Sequence, residues 1–440
     1  METFLFAVGT LAPLLLILVV VHELGHFATA RAIGVKVLEF GVGFPPRVFG
    51  VYTGRTQVLL HTRTRFIGLE GPQSLRPGQR VKVASIHEED LGLVAVEVEL
   101  HRQRDEDEEP SHFNRPVDHL LWHEGKVRSV SGGSFELADM LYSVNLIPLG
   151  GFVKLAGENN PTVPQSLASK SPAARIMVLS AGALMNALLP LLIFTIMFML
   201  PQEEEVGRLA VAEVLDGSPA AQAGLRPGDI FVAANGQAIE SRVDLTREIN
   251  LNGGSEVTLL VERERSLQTV TLTPAFNTRS SQWQVGVAVD LTETRVVSRS
   301  RALWDAIPAS VTATWDLLVL LKQTVGGMIS HGAAPQLSGP VGIAQMTGEI
   351  SRDGGFIGWL TVGILLSVNL AIINILPFPM LDGGRIVFVV IEWLRRGKRI
   401  PAEKENLVHL VGLVILVGGI AAITVNDVSR IIEGVSILGG

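Results

Sequence analysis

The sequence predicts a multi-span α-helical membrane protein, with about four transmembrane helices and folded polar modules in its loops. Three observations carry this. The 440-residue chain is 47% hydrophobic, with a positive mean hydropathy. Its apolar residues are clumped into four stretches, at about 3–21, 176–200, 356–378 and 407–425, near the roughly 20 residues that span a bilayer. Long polar segments, 51–141 and 201–300, separate them.

The first stretch lacks a basic leader and runs directly into "HELGH" instead of a small-residue cleavage site, so it reads as a retained helix, residues 1–34. The second helix covers 172–201 and the fourth 405–428. The third region, 355–385, ends in "NILPFPMLDGGR". Orientation follows from the positive-inside rule: the loop "WLRRGKRIPAEKEN" (393–406) should be cytoplasmic. Residues 31–171 then also lie inside, and 201–350 outside. With no cysteine, disulfides and thiolate metal sites are excluded. The net charge of −7 comes with no basic patch, which argues against a nucleic-acid partner.

On a helix, positions i and i+4 share a face. His22 and His26 therefore point the same way and can hold one Zn2+, with Glu23 beside them to take a proton from a metal-bound water. Chance produces this five-residue pattern in roughly one chain of this size in a hundred, from average residue usage. The alternative is a polar helix end whose histidines reach water at the interface. A catalytic zinc takes three protein ligands and leaves one position open. Asp382 lies at the inner end of the third apolar stretch, flanked by glycines and preceded by the helix-breaking Pro377 and Pro379. Under the topology above it reaches the same depth as "HELGH". Taken alone, "LDGG" reads better as a plain turn.

"HELGH" in a first span with "NILPFPMLDGG" late in the chain resembles the site-2 protease family of intramembrane zinc proteases, peptidase family M50. Asn374, Pro377, Pro379, Leu381, Asp382 and Gly383 match that family's N-x-x-P-x-P-x-L-D-G pattern without a gap. "EFGVGFPPRVFG" (39–50), "YSVNLIPLGGFVKLAGE" (142–158) and "LSGPVGIAQM" (337–346) are similar to its regulator-of-sigma-E protease branch. The resemblance implies His22, His26 and Asp382 as zinc ligands, Glu23 as general base, and Asn374 as a residue that helps hold the substrate backbone. It also implies that 35–50 is a re-entrant membrane loop.

Residues 142–158 carry hairpin chemistry of their own, apolar residues on either side of Pro148 and the Gly150-Gly151 turn. Such an edge can hold an extended peptide by strand addition, which makes Gly150 and Gly151 substrate-binding candidates. The 51–141 segment departs from the family's short members. Its alternation with glycine-containing turns predicts an inserted, cytoplasmic β-rich domain, a small barrel. Within it, "RDEDEEP" (104–110) reads as a solvated loop, and "HLLWHE" (119–124) as a surface helix. Residues 205–275 resemble a bacterial PDZ domain through "GSPAAQAGLRPGDIFVAANGQ". Residues 300–332 have an amphipathic pattern and read as interfacial helices.

The expected function is an endopeptidase of the bacterial inner membrane that cuts transmembrane segments of other membrane proteins, such as anti-sigma factors or signal-peptide remnants. Zinc is its cofactor and the active site lies near the cytoplasmic face. Expected partners are membrane-protein substrates, the lipid bilayer and a peptide ligand of the PDZ groove. The alternative from another class is a non-catalytic membrane scaffold, against which the intact zinc motif argues. A zinc transporter would need more intramembrane polar spans than this chain has.

Overall fold

The computed structural model describes residues 2–88, 90–100, 120–278, 280–332 and 338–432. It divides into two compact units, residues 1–189 with 338–440, and residues 190–337.

In the first unit, helix α1 (Glu2–Ala32) leads into strand β1 (Val37–Thr53). A barrel follows: β2 (Thr56–Ile67), β3 (Arg80–Glu88), β4 (Gly92–Leu100), β5 (Leu121–Ser131) and β6 (Ser134–Ala138) close in the order β2-β4-β3-β5-β6. Val58, Val81, Val83, Val98, Phe135 and Leu137 fill its interior. Strand β7 (Met140–Leu155) then returns to pair with β1, and helix α2 (Pro172–Met199) follows.

The expected re-entrant loop at 35–50 is therefore extended strand, and the expected hairpin at 142–158 is half of a larger arrangement. Both β1 and β7 double back. Residues 37–42 pair with 151–155 on one side and with 141–144 on the other, while 47–53 pair with 140–145. The result is a four-segment sheet in which 151–155 is an edge, free of any further strand among the described residues. Glycine is required at the fold: Gly150 has φ +101°, and a Cβ there would meet the Phe44 ring.

"HLLWHE" is a correction. Residues 121–131 form β5, with Leu121, His123 and Val127 buried and Trp122, Glu124 and Lys126 between them more exposed. That is a period of two, and closing the barrel outweighs the helical spacing of the two histidines. His123 is buried, donates or accepts at Ser85 Oγ (3.1 Å), and pairs with Asp139 Oδ2 at 2.7 Å; Lys36 Nζ reaches the same oxygen at 2.6 Å. This network fastens the barrel to the start of β1. The acidic run 104–110 lies outside the described residues.

The second unit holds β8 (Gln202–Val214), α3 (Pro219–Gln222), β9 (Ile230–Ala234), β10 (Gln237–Ala238), α4 (Arg242–Leu251), β11 (Val257–Arg263), β12 (Ser266–Leu272), the small pair β13 (Ala275–Asn277) and β14 (Gln282–Gln284), and β15 (Val287–Arg299). Its sheet runs β12-β11-β9-β8-β15. The module thus extends past 275, because β15 completes the sheet beside β8. Ser218 caps α3 through the Ala221 amide, and Asn235-Gly236 turns β9 into β10, as the sequence pattern requires. The amphipathic 300–332 region is one helix, α5 (Leu303–His331). It exposes Trp304, Ile307, Val311 and Trp315, and buries Ala306, Ser310 and Thr314.

Back in the first unit, α6 (Pro340–Ile375) is broken at Gly355, whose backbone is non-helical, so a helix over 340–354 precedes the apolar helix over 356–375. That apolar helix ends earlier than 385. Pro377 and Pro379 cannot donate backbone bonds, the chain opens after Ile375, and a separate helix α7 (Asp382–Leu394) starts at Asp382. Helix α8 (Ala402–Ile432) is the last element among the described residues. Among the described residues, four helices are long and apolar enough to cross a bilayer, at 6–32, 172–199, 340–375 and 403–430.

Candidate metal centre

One helical turn separates His22 and His26 near the C-terminal end of α1. Their Nε2 atoms lie 3.2 Å apart, and Asp382 Oδ2 lies 3.1 Å from His22 Nε2 and 3.2 Å from His26 Nε2. Zinc at about 2.0–2.1 Å from three tetrahedral ligands would separate them by about 3.3 Å, so the triangle is of the size a zinc ion requires. Among the described residues this is the one group of three His, Cys, Asp or Glu side chains arranged to hold a metal. Asp382 Oδ2 is buried and makes no ordinary hydrogen bond. A buried carboxylate oxygen left in that condition is costly, and a cation facing it removes the cost.

The break after Ile375 is what delivers Asp382. As the first residue of α7 it sits at a helix N-terminus, where a carboxylate is favoured. Packing around this point is tight enough to demand small residues. A Cβ on Gly25 would lie 2.4 Å from Ala181 O, and one on Gly182 would lie 2.4 Å from His26 Nε2 and 2.5 Å from His22 Nε2. Helix α2 thus passes directly over the imidazoles. Its Val178 carbonyl lies 2.8 Å from His26 Nδ1, which places the proton on Nδ1 and turns the Nε2 lone pair to the triangle.

His22 is oriented by two amides. Asn186 Nδ2 is 3.4 Å and Asn374 Nδ2 3.5 Å from its Nδ1, while Asn186 Oδ1 is buried without a partner. The oxygen and nitrogen ends of a side-chain amide have nearly the same shape, so either can face His22. Turned half round, Asn186 satisfies its oxygen and accepts from His22 Nδ1–H. Ser367 Oγ donates to the Asn186 backbone carbonyl at 2.7 Å, which anchors this turn of α2 to α6.

Glu23 faces the same space and accepts a hydrogen bond from the Val153 backbone amide. Gly151 lies alongside, where a Cβ would come within 3.6 Å of Glu23 Cγ. A cavity of about 230 Å3 is lined by His22, Glu23, His26 and Asp382 together with Phe152, Val153, Leu155 and Val178. Arg385 and Glu158 pair at 3.0 Å on its wall. The free edge of residues 151–155 borders this cavity. Of the sequence-derived residues, His22, Glu23, His26, Asp382 and Asn374 come together, with Gly151 beside them; Gly150 shapes the turn. Gly182, Asn186, Val178 and Val153 were missed. The signal for Asn186 was present, as a lone amide in the apolar run "LSAGALMNALLP".

The sequence model of peptidase family M50 matches residues 10–64 and 124–419. The zinc metalloprotease RasP of Geobacillus kaustophilus is 30% identical, over 94% of this chain and 95% of its own. The regulator of sigma-W protease RasP of Bacillus subtilis is 28% identical, over 94% of this chain and 96% of its own. Among solved structures, the PDZ domain of an SdrC-like protein from Listeria monocytogenes is 21% identical and covers 19% of this chain and 86% of that one. Its TM-score is 0.17, too low to bear on the fold.

Proposed function

This chain belongs to peptidase family M50 and is a multi-pass membrane zinc metalloprotease, and from that premise we propose that it is an endopeptidase that cuts transmembrane segments of other membrane proteins. The observation that carries the reading is the triangle of His22, His26 and Asp382 with Glu23 and a free strand edge on one cavity.

In this reading His22, His26 and Asp382 hold the metal. Zinc bound there supplies a water of pKa near 7 and a Lewis acid for the scissile carbonyl. Glu23 is the base: its carboxylate takes the proton from the attacking water and passes it to the leaving amine. The Val153 amide holds that carboxylate towards the cavity. A helical substrate must be unwound before it is cut, and the free edge at 151–155 offers backbone groups for that by strand addition. Asn374, beside His22, steadies the imidazole, and within reach of the same cavity it can contact a bound peptide. The exposed Phe44, Val48, Phe49, Leu146 and Ile147 at the turns of the β1–β7 sheet support its insertion among lipid tails.

The positive loop at 393–406 supports a catalytic site near the cytoplasmic face, with the 56–138 barrel on that side and the 202–299 module outside. We read the latter as a PDZ module. The outer edge of β15, where Asp290 lies 3.7 Å from Arg242 of α4, is its peptide-accepting groove. The anti-sigma factor class of substrates is suggested by the relative named for sigma-W regulation.

The test is Glu23→Gln in purified full-length protein. Zinc content should stay at the wild-type level while cleavage of a helical membrane substrate falls at least about a hundredfold, the usual worth of a general base. Cleavage at the wild-type rate would remove Glu23 from the mechanism.

A further inference from the structure

The segment that brings Asp382 to the histidines has no regular structure of its own. Between the end of α6 and the start of α7 lie residues 376–381, and Pro377 and Pro379 have no amide hydrogen to offer. Three of the four remaining amides bond locally: Leu376 to the Ile373 carbonyl, Phe378 to that of Leu376, and Leu381 to that of Phe378. The fourth belongs to Met380. It donates to Nδ1 of His409, on α8, at 2.9 Å.

Met380 is also the strained residue of the segment. Its φ is +78°, a region that L side chains other than Asn and Asp rarely adopt. Such a conformation persists where surrounding contacts over-determine it. Two features of α8 supply them. One is the His409 bond. The other is Gly412, one turn on, where a Cβ would lie 2.3 Å from Pro379 Cβ. Helix α8 can approach the segment only because that position is bare. His409 gains little for itself there. Its Nε2 is buried without a hydrogen-bond partner, with Glu405 Oε1 3.8 Å away, and its ring lies against Phe388 of α7 at 5.4 Å between centroids. A half-buried imidazole whose shielded nitrogen is unsatisfied is an expense, and the Met380 contact is what it provides in return.

We propose that His409 is a positioning residue for the metal centre: through the Met380 amide it fixes the backbone two residues before Asp382, and so the place of the third ligand. This rests on the zinc site proposed above. The bond needs an acceptor at Nδ1, hence a neutral imidazole carrying its proton on Nε2. His409 touches neither the metal nor the substrate. Its effect is on how well Asp382 is held against His22 and His26.

The experiment compares wild type, His409→Leu, His409→Asn and His26→Ala as full-length protein in detergent. Zinc affinity is measured by chelator competition, and the visible spectrum is recorded after replacing zinc with Co2+. Asparagine can place its side-chain oxygen where Nδ1 stood; leucine fills the space and accepts nothing. The leucine variant should bind zinc 10- to 100-fold more weakly, the range found when groups that orient metal ligands are removed, and its cobalt bands should shift. The asparagine variant should return to within about threefold of wild type, as expected where one acceptor is replaced by another. Thermal unfolding of both variants separates this from collapse: a leucine variant that fails to fold leaves the asparagine variant to decide, since loss of zinc affinity in a folded asparagine protein overturns the proposal. Wild-type affinity and an unshifted cobalt spectrum in the leucine variant also overturn it. Failure of the zinc site itself has a different signature, a wild-type protein whose zinc binding is unaffected by His26→Ala.

Discussion

Gly182→Ala adds one methyl group at the point where α2 crosses the imidazoles. That methyl would lie 2.4 Å from His26 Nε2 and 2.5 Å from His22 Nε2, whereas real Cβ contacts do not fall below 3.0 Å. Both rings, or the helix, must retreat by about 0.6 Å or more, beyond the tolerance of about 0.5 Å within which catalytic constellations work. The helix has little room to move. Gly25 already brings α1 within 2.4 Å of Ala181 O for any added Cβ, and the His26–Val178 bond ties the two helices at 2.8 Å. The methyl also stands near the zinc–nitrogen distance of about 2.0–2.1 Å from both nitrogens, and so competes with the metal for space. Folding should suffer far less. Alanine gains about 1 kcal/mol of helix propensity over glycine, against about 1–3 kcal/mol for overpacking. The expected result is zinc affinity reduced at least about a hundredfold, the upper range for disturbed ligand orientation, in a protein that still folds. Zinc content by atomic absorption, substrate cleavage and thermal unfolding measure it. Gly9→Ala, where a Cβ meets nothing within 4 Å, is the silent control. Wild-type zinc content and cleavage in Gly182→Ala would refute the packing argument.

Asp382→Asn should lower zinc content and activity together; full zinc with lost activity would move Asp382 out of the ligand set. Burial pushes the Asp139 carboxyl up, but the hydrogen bond with His123 and the charge of Lys36 outweigh it and hold it below the ordinary carboxylate range. A depressed folded pKa contributes stability that is complete above the free value, about pH 4, and is lost as pH falls through the folded value. Melting of the barrel should therefore be flat in this respect from about pH 7 to 5 and drop below about pH 4, with Asp139→Asn losing that step; a wild-type profile identical to the Asn variant's would sink the assignment. The native chain has no cysteine, so single cysteines report orientation. One at the exposed Ser255 should label from outside with an impermeant maleimide, and one at the exposed Lys398 only after the membrane is opened. Outside labelling at both 255 and 398 would put Asp382 and His22 at opposite faces.

The candidate metal centre was legible because its parts are local signals. "HELGH" encodes a shared helix face by spacing alone, and "PFPMLDGG" announces its own break. The reading failed where the deciding contact is distant. Two prolines told of a broken helix, yet the third element was carried on to 385, because where the chain resumes depends on Asp382 starting a new helix at the histidines. His119 and His123 looked helical by spacing, while the alternation of Leu121, His123, Gly125 and Val127 held the barrel strand in plain view. Gly182 and Asn186 sit in an apolar run that any spanning helix would show; only the cost of an amide at that depth distinguished Asn186. The doubled pairing of β1 with β7 joins residues about a hundred positions apart, and no local pattern encodes it.

The barrel leaves the β1–β7 sheet after Thr53 and rejoins it at Met140, and those two residues are themselves paired. Its ends are therefore neighbours across a single rung, as the ends of a tight turn would be. More than eighty residues occupy what the β1–β7 sheet needs only as a turn, and loop-closure costs rise so slowly with length that the sheet is nearly indifferent to them. This is an open socket in the scaffold: cargo of almost any fold can be spliced in there without moving a catalytic atom, provided its two ends emerge side by side. Lys36, reaching from the base of β1 to Asp139 at the exit, is the catch that makes this particular cargo a fixture rather than a pendant.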